Sequence, residues 1–287
     1  MNVFSAFDGI SIGQLALKRA GIPVDKYFAS EIKPYAMEVT KDNFPNTVFV
    51  GDVTKVKVED YPKIDLFMGG SPCQDLSAAM RDRDGLEGEK SKLFWEFIRL
   101  LKEFKPRYFF LENVAGMTNN DKEIISEATG VEPIRINSSR VSAQLRDRYY
   151  WTNIPNVDKP DNKRIMLKDI LTSGYTDRRK SRALLVSDSR PLTDKKRMYF
   201  RYTSTGFTTI VFESEDMNPD KIRYFNQTEL ERLQTVPEGY TRVLNRNQAA
   251  DVLGDCWTTD VIAHVFGYMK GNPEPVNNTY CKQQSFI

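Results

Sequence analysis

One cysteine lies where a reactive thiol is expected. Cys73 ends the segment Gly69-Gly70-Ser71-Pro72-Cys73, which directly follows an apolar run at 64–68. This pattern predicts a buried strand, a sharp glycine turn and then a helix, whose first turn tolerates the missing N–H of proline. The positive end of a helix dipole lowers the pKa of a thiol and favours the nucleophilic thiolate. A buried, inert cysteine is the alternative, and the local sequence leaves both open.

Acidic residues follow the neighbouring apolar segments in the same way. Asp8, Glu31, Asp52 and Glu112 each stand where a short predicted strand ends. Ligands of parallel sheets bind beyond the carboxyl ends of the strands. We therefore expect these four carboxylates and Cys73 to line one crevice.

The elements that position them alternate through the first half of the chain. Strands that alternate with helices predict an α/β fold, in which a parallel sheet has helices on both faces. Helical periodicity is clearest at 93–104. The predicted strands are 2–7, 27–30, 48–50, 64–68, 107–111, 132–137 and 149–153, and the predicted helices in this half are 14–20, 34–43 and 93–104.

An adenosine-type cofactor fits the predicted crevice better than a dinucleotide. The turn after the first strand, Phe7-Asp8-Gly9-Ile10, contains a glycine but is not Gly-x-Gly-x-x-Gly, which disfavours NAD. A carboxylate that ends the second strand, here Glu31, is the usual ligand of both ribose hydroxyls. Asp52 can accept a hydrogen bond from an adenine amino group. S-adenosylmethionine is an adenosine compound without phosphates and suits these residues.

Composition excludes several classes of protein. The 287 residues suffice for one large domain, alone or with a smaller one, and no apolar stretch approaches the roughly 18 residues of a membrane span. The first residues lead us to expect no secretory signal, and three cysteines without framework spacing predict a reducing, cytoplasmic compartment. Because His264 is the single histidine, a Cys/His zinc site is disfavoured and no metal is expected.

Charge is unevenly spread along the chain. The net charge is +2, but residues 158–201 hold thirteen Lys or Arg against six Asp or Glu. Basic residues interleaved with aromatic ones indicate contact with a phosphate backbone. We expect this contact to involve Arg178, Arg179, Lys195 and Arg197. The predicted domains are a catalytic domain at 1–154 plus 247–270 and a small target-recognition domain at 155–246, followed by a tail at 271–287.

Six motifs resemble those of the cytosine-5 DNA methyltransferase family and occur in the order that is typical of the family. They are most similar to the catalytic domain of the vertebrate de novo enzymes. From this resemblance we expect a stand-alone enzyme of bacterial or phage type, with a role in restriction–modification. One departure, Cys256 where many members have alanine or serine, leaves the role of this cysteine open. The motifs are Phe7–Gly13, Ser71-Pro72-Cys73-Gln74, Glu112-Asn113-Val114, Gln144-Leu145-Arg146-Asp147-Arg148, Thr228–Gln234 and Gly254-Asp255-Cys256-Trp257.

The resemblance implies a Rossmann-like methyltransferase sheet with a smaller, irregular β-containing recognition domain. It also implies transfer of a methyl group from S-adenosylmethionine to carbon 5 of a flipped cytosine in double-stranded DNA. Cys73 would attack carbon 6, Glu112 would serve ring nitrogen 3 with Asn113 holding its carboxyl group, and Arg146 and Arg148 would complete the site. Arg81 and Arg83 would hold the DNA backbone around the flipped base. The implied cofactor residues are Phe7, Asp8, Gly9, Ile10, Glu31, Ile32, Asp52, Val53, Gly70, Leu93 and Trp257.

Three other functions remain open at this point. One branch of the family methylates tRNA, and a catalytically inactive DNA-binding homologue would keep the fold. A nicotinamide-dependent oxidoreductase is disfavoured by the glycine pattern. The recognition sequence is not readable from the chain, and CpG is only a first guess from the resemblance.

Overall fold

A seven-stranded mixed sheet organises the computed structural model, which describes residues 1–71, 92–185, 190–205 and 208–269. Cys73, Arg81, Arg83 and the predicted tail therefore lie outside the described residues. The strands are β1 Asn2–Ala6, β2 Lys26–Ser30, β3 Val48–Phe49, β4 Leu66–Gly69, β5 Tyr108–Val114, β6 Ile134–Asn137, β7 Gln144–Leu145, β8 Asp147–Thr152, β9 Ser181–Arg182, β10 Val211–Phe212 and β11 Ile222–Arg223.

Nine α-helices are present in the described part of the chain. None of them is long and apolar enough to cross a membrane. They are α1 Ile12–Arg19, α2 Pro34–Asn43, α3 Lys92–Phe104, α4 Asn119–Thr129, α5 Leu167–Ile170, α6 Lys195–Phe200, α7 Gln227–Leu233, α8 Arg246–Asp255 and α9 Thr259–Phe266.

The strand order of the large sheet is β3-β2-β1-β4-β5-β8-β6. Strands β1 to β5 run parallel, which confirms the predicted α/β class and the Rossmann-like sheet. The sheet is mixed rather than parallel throughout, because β8, whose direction was not predicted, pairs antiparallel with both β5 and β6. The physical reason is the short connection from β6 to β8, since a parallel crossover needs a dozen or more residues.

Alternating strand residues fill the two faces of this sheet. Phe4, Phe67 and Phe109 face one side, where they pack with α3 and α4. Their sequence neighbours Val3 and Leu66 face the other side, where α1 and α9 cover them. Because α9 comes from the far end of the chain, the last motif is brought back to the edge where the first one begins.

The remaining residues form two further clusters. Helices α7 and α8 share a core with residues of α1 and α2. A separate small cluster forms around β10, β11 and α6, with Met198, Tyr202, Ile210, Phe212 and Ile222 at its centre. The domain boundaries at 154, 246 and 270 stay predictions.

A buried carboxylate holds the chain after α7. Glu231 is 1% exposed; it accepts hydrogen bonds from the backbone N–H groups of Gly239 and Thr241, both at 2.8 Å, and from the Thr241 hydroxyl at 2.6 Å. Glu231→Ala leaves three donors without their acceptor, two of them buried, and should lower the free energy of unfolding by about 3 kcal/mol. Urea denaturation measures this loss. The control Glu238→Ala removes an exposed ion pair and should lose less than about 1 kcal/mol; equal losses would contradict the role of Glu231.

Candidate active site

The turn after β1 has an unusual backbone. Phe7, Gly9 and Ser11 all have positive φ angles, 57°, 61° and 56°. Only glycine adopts this conformation without strain, and strain of this kind concentrates at ligand sites. The Gly9 N–H donates a 2.8 Å hydrogen bond to Oε2 of Glu31. The first two predicted cofactor segments are therefore in direct contact at the carboxyl edge of the sheet.

Asp8 braces this turn from within. Its carboxyl group accepts hydrogen bonds from the Tyr27 hydroxyl at 2.6 Å and from the Ser11 hydroxyl. Burial raises the pKa of Asp8 to about 6, although these two hydrogen bonds oppose the shift. The sequence did not indicate that Tyr27 supports this turn, because an aromatic residue at that position is equally typical of a buried strand.

The segment after β2 presents both polar and apolar groups. Glu31 Oε1 accepts 2.8 Å hydrogen bonds from the backbone N–H groups of Ile32 and Lys33. The side chain of Ile32 is 72% exposed. An apolar side chain so placed beside an ordered carboxylate provides a surface for a flat, apolar group.

Asp52 ends the next strand region and caps a short helical turn at Val53–Lys55. It accepts hydrogen bonds from the N–H and the hydroxyl of Thr54, and these bonds lower its pKa. The side chain of Val53 is buried in the core, so only its backbone can face a ligand. Leu93, at the start of α3, is half-buried against the same core.

Two charged residues meet on β5 and β8. Oε1 of Glu112 lies 2.7 Å from Nε of Arg148, and both side chains are largely buried, 11% and 15% exposed. Glu112 lies within β5 rather than after it, because the strand continues to Val114. Since β8 is antiparallel, its first residues lie at the carboxyl end of β5, and Val114 pairs with Arg148. The mixed sheet is thus what brings the acidic and basic motifs together.

Trp257 completes this cluster from the last motif. Its Nε1 donates a 3.2 Å hydrogen bond to Oε2 of Glu112, and its ring packs edge-on against Phe110 with centroids 5.3 Å apart. Gly70 lies against both partners: a Cβ atom there would be 2.8 Å from Nε1 of Trp257 and 3.1 Å from Oε2 of Glu112. A glycine at this position allows the end of β4 to approach the pair.

Asn113 points away from Glu112, since successive strand residues face opposite sides. Its Nδ2 donates to the Ser71 hydroxyl at 3.1 Å, and its Oδ1 accepts from the N–H of Val114 at 2.7 Å. The expectation that Asn113 holds the carboxyl group of Glu112 is wrong. It holds Ser71 instead, two residues before Cys73.

The buried side chain of Arg146 connects segments that are distant in the sequence. Its guanidinium donates to the carbonyl oxygens of Cys256 at 2.9 Å and Leu184 at 3.5 Å, while Nε has no partner among the described residues. Burial is the main cause that lowers the pKa of Arg146, and repulsion from Arg148 lowers it further. Arg146 touches the backbone beside Trp257, and its predicted catalytic role stays a prediction.

Cys256, whose role the sequence left open, is a packing residue. Its thiol is buried, lies 3.5 Å from the carbonyl oxygen of Leu253, and belongs to the core shared with α1, α2 and α7. Burial raises the pKa of this thiol to about 12. A thiol that stays protonated at neutral pH is a poor nucleophile.

Comparison with known proteins identifies the amino-terminal part of the chain. Residues 1–131 match the family described as C-5 cytosine-specific DNA methylase. These 131 residues, somewhat less than half of the chain, are therefore similar to that family. The match confirms the family indicated by the motifs, three of which lie within these residues.

Two curated relatives and one solved structure extend the comparison. The type II methyltransferase M.NgoBV of Neisseria gonorrhoeae is 38% identical over 131 residues, 45% of this chain and 31% of that protein. The orphan methyltransferase M.SPRI of Bacillus phage SPR is 30% identical over 272 residues, 89% of this chain and 58% of that protein. The chain therefore spans about a third to three fifths of these relatives. The structure of the Entamoeba histolytica methyltransferase EhMeth has the same fold, with a TM-score of 0.72, 16% identity and coverage of 94% and 97% of the two chains.

The four basic residues predicted to contact DNA divide into two kinds. The guanidinium of Arg178 lies 3.8 Å from the centre of the Tyr202 ring and donates to the Tyr202 carbonyl oxygen. Lys195 donates to the carbonyl oxygen of Ile222. Arg179 and Arg197 are exposed. No group of three His, Cys, Asp or Glu side chains within the described ranges is arranged to hold a metal ion.

An ion pair that the sequence did not indicate connects segments next to the predicted cofactor residues. The ammonium of Lys33 lies 2.8 Å from Oδ2 of Asp255 and 3.4 Å from Oδ2 of Asp251. Burial opposes the charge of Lys33, but the hydrogen bond that its ammonium donates to Asp255 raises its pKa overall. The pair joins the start of α2, just after Glu31, to the end of α8, just before Trp257. A lysine in this position has no sequence signal that separates it from a surface lysine.

We predict that Lys33→Met weakens cofactor use without slowing the chemical step. The KM for S-adenosylmethionine should rise about fivefold, since a half-exposed ion pair contributes up to about 1 kcal/mol, and kcat should stay within about twofold. Steady-state kinetics with varied S-adenosylmethionine measures both. Lys41→Met, on the exposed side of α2, is the matched control. A fall in kcat with an unchanged KM would show that Lys33 does not position the predicted cofactor residues.

Proposed function

We propose that this protein transfers a methyl group from S-adenosylmethionine to carbon 5 of cytosine in double-stranded DNA. The observation that carries the proposal is the contact of Glu112 with Arg148 and Trp257, directly beside Gly70 at the end of β4. This acid–base pair lies at the same sheet edge as Glu31, and Gly70 beside it is three residues before the predicted nucleophile Cys73. The matched family, described as a DNA methylase, and the relatives, which are methyltransferases, support the same reaction.

The residues at the edge of β1 to β3 suit an adenosine. A ribose offers two hydroxyl donors, and the Glu31 carboxylate is ordered to accept them beside Gly9. The exposed side chain of Ile32 suits the flat face of a purine, and ionised Asp52 suits an exocyclic amino group. S-adenosylmethionine supplies, when bound, a methyl group on a positively charged sulfur. Fold and family both imply its use.

The base side of the site can be assigned role by role. Carbon 5 of cytosine is a weak nucleophile, so the Cys73 thiolate forms a bond to carbon 6 and moves an electron pair toward carbon 5. Glu112 serves ring nitrogen 3, where a proton relieves the developing negative charge, and Arg148 donates to the carbonyl oxygen at position 2. Carbon 5 then takes the methyl group as the bond between that group and the sulfonium sulfur breaks, which would leave a neutral thioether. Loss of the carbon 5 proton to water returns an electron pair to the ring, and the bond from carbon 6 to Cys73 breaks by elimination. Trp257 and Arg148 hold the two oxygens of Glu112 for this step.

A base within a duplex cannot reach these groups. Turning the target cytosine out of the helix requires a few kcal/mol of unstacking and unpairing. Arg81 and Arg83, in the segment that follows Cys73 in the sequence, are proposed to hold the backbone around the flipped nucleotide.

The test measures transfer of a labelled methyl group. The protein is incubated with methyl-labelled S-adenosylmethionine and either duplex DNA or tRNA, and the nucleosides are separated after digestion. Label in 5-methyldeoxycytidine supports the proposal, whereas label in tRNA alone supports the RNA alternative. DNA binding without any transfer would indicate the inactive homologue. Thermal stabilisation by S-adenosylhomocysteine but not by NAD excludes the oxidoreductase.

A further inference from the structure

Helix α6 continues into a π-helical turn at Arg201–Thr205. The exposed face of this segment carries a basic and aromatic surface with no assigned role. Lys196, Arg197, Phe200, Thr203 and Ser204 are all exposed, and positions 196, 200, 203 and 204 recur at helical spacing on one side. Phe200 is 68% exposed, the most exposed aromatic side chain in the described part of the chain. Residues 194–205 contain four cations and one carboxylate.

The opposite face of the same segment is firmly attached. Met198 and Tyr202 are buried against Ile210, Phe212 and Ile222. Asp194 caps α6 by accepting from the N–H of Arg197 at 3.1 Å. A segment held in this way presents its outer face in a fixed orientation, as a specific binding surface requires.

Two of the predicted DNA-binding cations serve this attachment. Lys195 is bonded to the carbonyl oxygen of Ile222, and Arg178 stacks on Tyr202, whose hydroxyl donates to Asp177. Their charges are therefore directed to the protein beneath the helix. Lys196 and Arg197 are the neighbours that point to solvent.

We propose that this outer face of α6 reads duplex DNA, with Phe200 as the residue that contacts bases. The inference rests on the proposed function and names the recognition element. The major groove admits an α-helix, and apolar side chains there contact the methyl group of thymine. Lys196 and Arg197 contact phosphates and supply affinity independent of sequence. The hydroxyl groups of Thr203 and Ser204 donate within the helix and keep acceptor capacity for a base amino group.

Charge and exposure favour DNA over a protein partner. A protein-binding face would gain from a larger apolar patch, whereas Phe200 is a single aromatic residue among cations and hydroxyl groups. Contact with phosphates by basic residues and with base edges by one apolar side chain is the usual division in protein–DNA interfaces.

The experiment compares three variants with the wild-type protein. Phe200→Ala removes the proposed base contact. The double variant Lys196→Ala/Arg197→Ala removes two positive charges. Lys102→Ala, near the carboxyl end of α3, removes one positive charge from a different helix and is the control. Methylated cytosines are mapped by sequencing unmodified genomic DNA after reaction, and DNA binding is measured at several salt concentrations. Melting temperature and S-adenosylhomocysteine binding establish that each variant is folded.

Two different responses are expected. Phe200→Ala should relax discrimination at one position of the recognition sequence about tenfold with an unchanged salt dependence. The double variant should weaken binding to all sequences and reduce the slope of log K against log salt by about 2, while the preferred sequence is kept. Lys102→Ala should change neither.

Other outcomes overturn the inference. The inference is rejected if folded Phe200→Ala keeps the wild-type methylation pattern. It is also rejected if the double variant keeps the wild-type salt slope on DNA. In both cases, methyl transfer by the wild-type protein still supports the proposed function. Loss of binding to tRNA or to another protein, with DNA binding kept, assigns the face to that partner. Absence of methyl transfer by the wild-type protein instead rejects the proposed function itself.

Discussion

Cys73→Ala is expected to abolish methyl transfer to DNA while S-adenosylmethionine binding remains within about twofold of wild type. Without a thiolate no bond forms to carbon 6, so carbon 5 stays a weak nucleophile. Alanine removes no group predicted to contact the adenosine, which is expected at Glu31, Ile32 and Asp52. A single-turnover assay with labelled S-adenosylmethionine measures the chemical step, and isothermal titration measures cofactor binding.

Cys256→Ala is the matched control for this experiment. Its thiol is buried and has a pKa raised to about 12, so its loss should lower stability modestly and leave turnover nearly unchanged. DNA that contains 5-fluorocytosine should trap the wild-type protein in a complex that survives denaturant, because fluorine cannot leave as a proton. The same DNA should not trap Cys73→Ala. Substantial turnover by Cys73→Ala would falsify the covalent scheme.

The second large effect is expected at Glu112. Glu112→Gln keeps the size of the side chain and an oxygen that can accept from Trp257 or Arg148, but it removes the transferable proton. General acid–base contributions are about 10²- to 10⁴-fold, so kcat should fall by about that factor while the KM for S-adenosylmethionine changes little. Single-turnover rates at saturating DNA give this comparison.

A structural explanation for that loss must be separated from the chemical one. Removing one partner of a largely buried ion pair can itself destabilise a protein, so the melting temperature of Glu112→Gln is measured alongside its rate. Glu96→Gln, which removes a half-exposed pair with Arg99 on α3, is the control for loss of a carboxylate. If folded Glu112→Gln retains wild-type kcat, the proton role of Glu112 is wrong.

Local patterns predicted much of the fold near the site. The apolar runs of β1, β2, β4 and β5 and the helical stripe of α3 are visible in sequence because burial on a fixed period leaves a fixed pattern. The helix α4 was not predicted. The direction of β8 was not predicted either, although its short connection to β6 carried the information. Strand direction depends on the connection between strands, whereas hydropathy reports only burial.

The roles of charged residues were harder to predict. Arg178 and Lys195 read as DNA contacts in sequence, yet they bind a ring and a carbonyl oxygen inside the small cluster around α6. Lys33 was not singled out in the sequence, yet it joins α2 to α8. A charged side chain is long, and the partner that it meets is decided by packing between segments far apart in the chain.

By itself, the sequence determined the α/β class, the similarity of the amino-terminal part to one family and most of the polar residues that follow the strands, because these depend on local periodicity and on short motifs. Only the tertiary structure decided that Glu112 meets Arg148 through an antiparallel strand and Trp257 across 145 residues of sequence, that Asn113 holds Ser71, and that Cys256 is buried. These contacts depend on chain direction and long-range packing, which no short stretch of residues encodes.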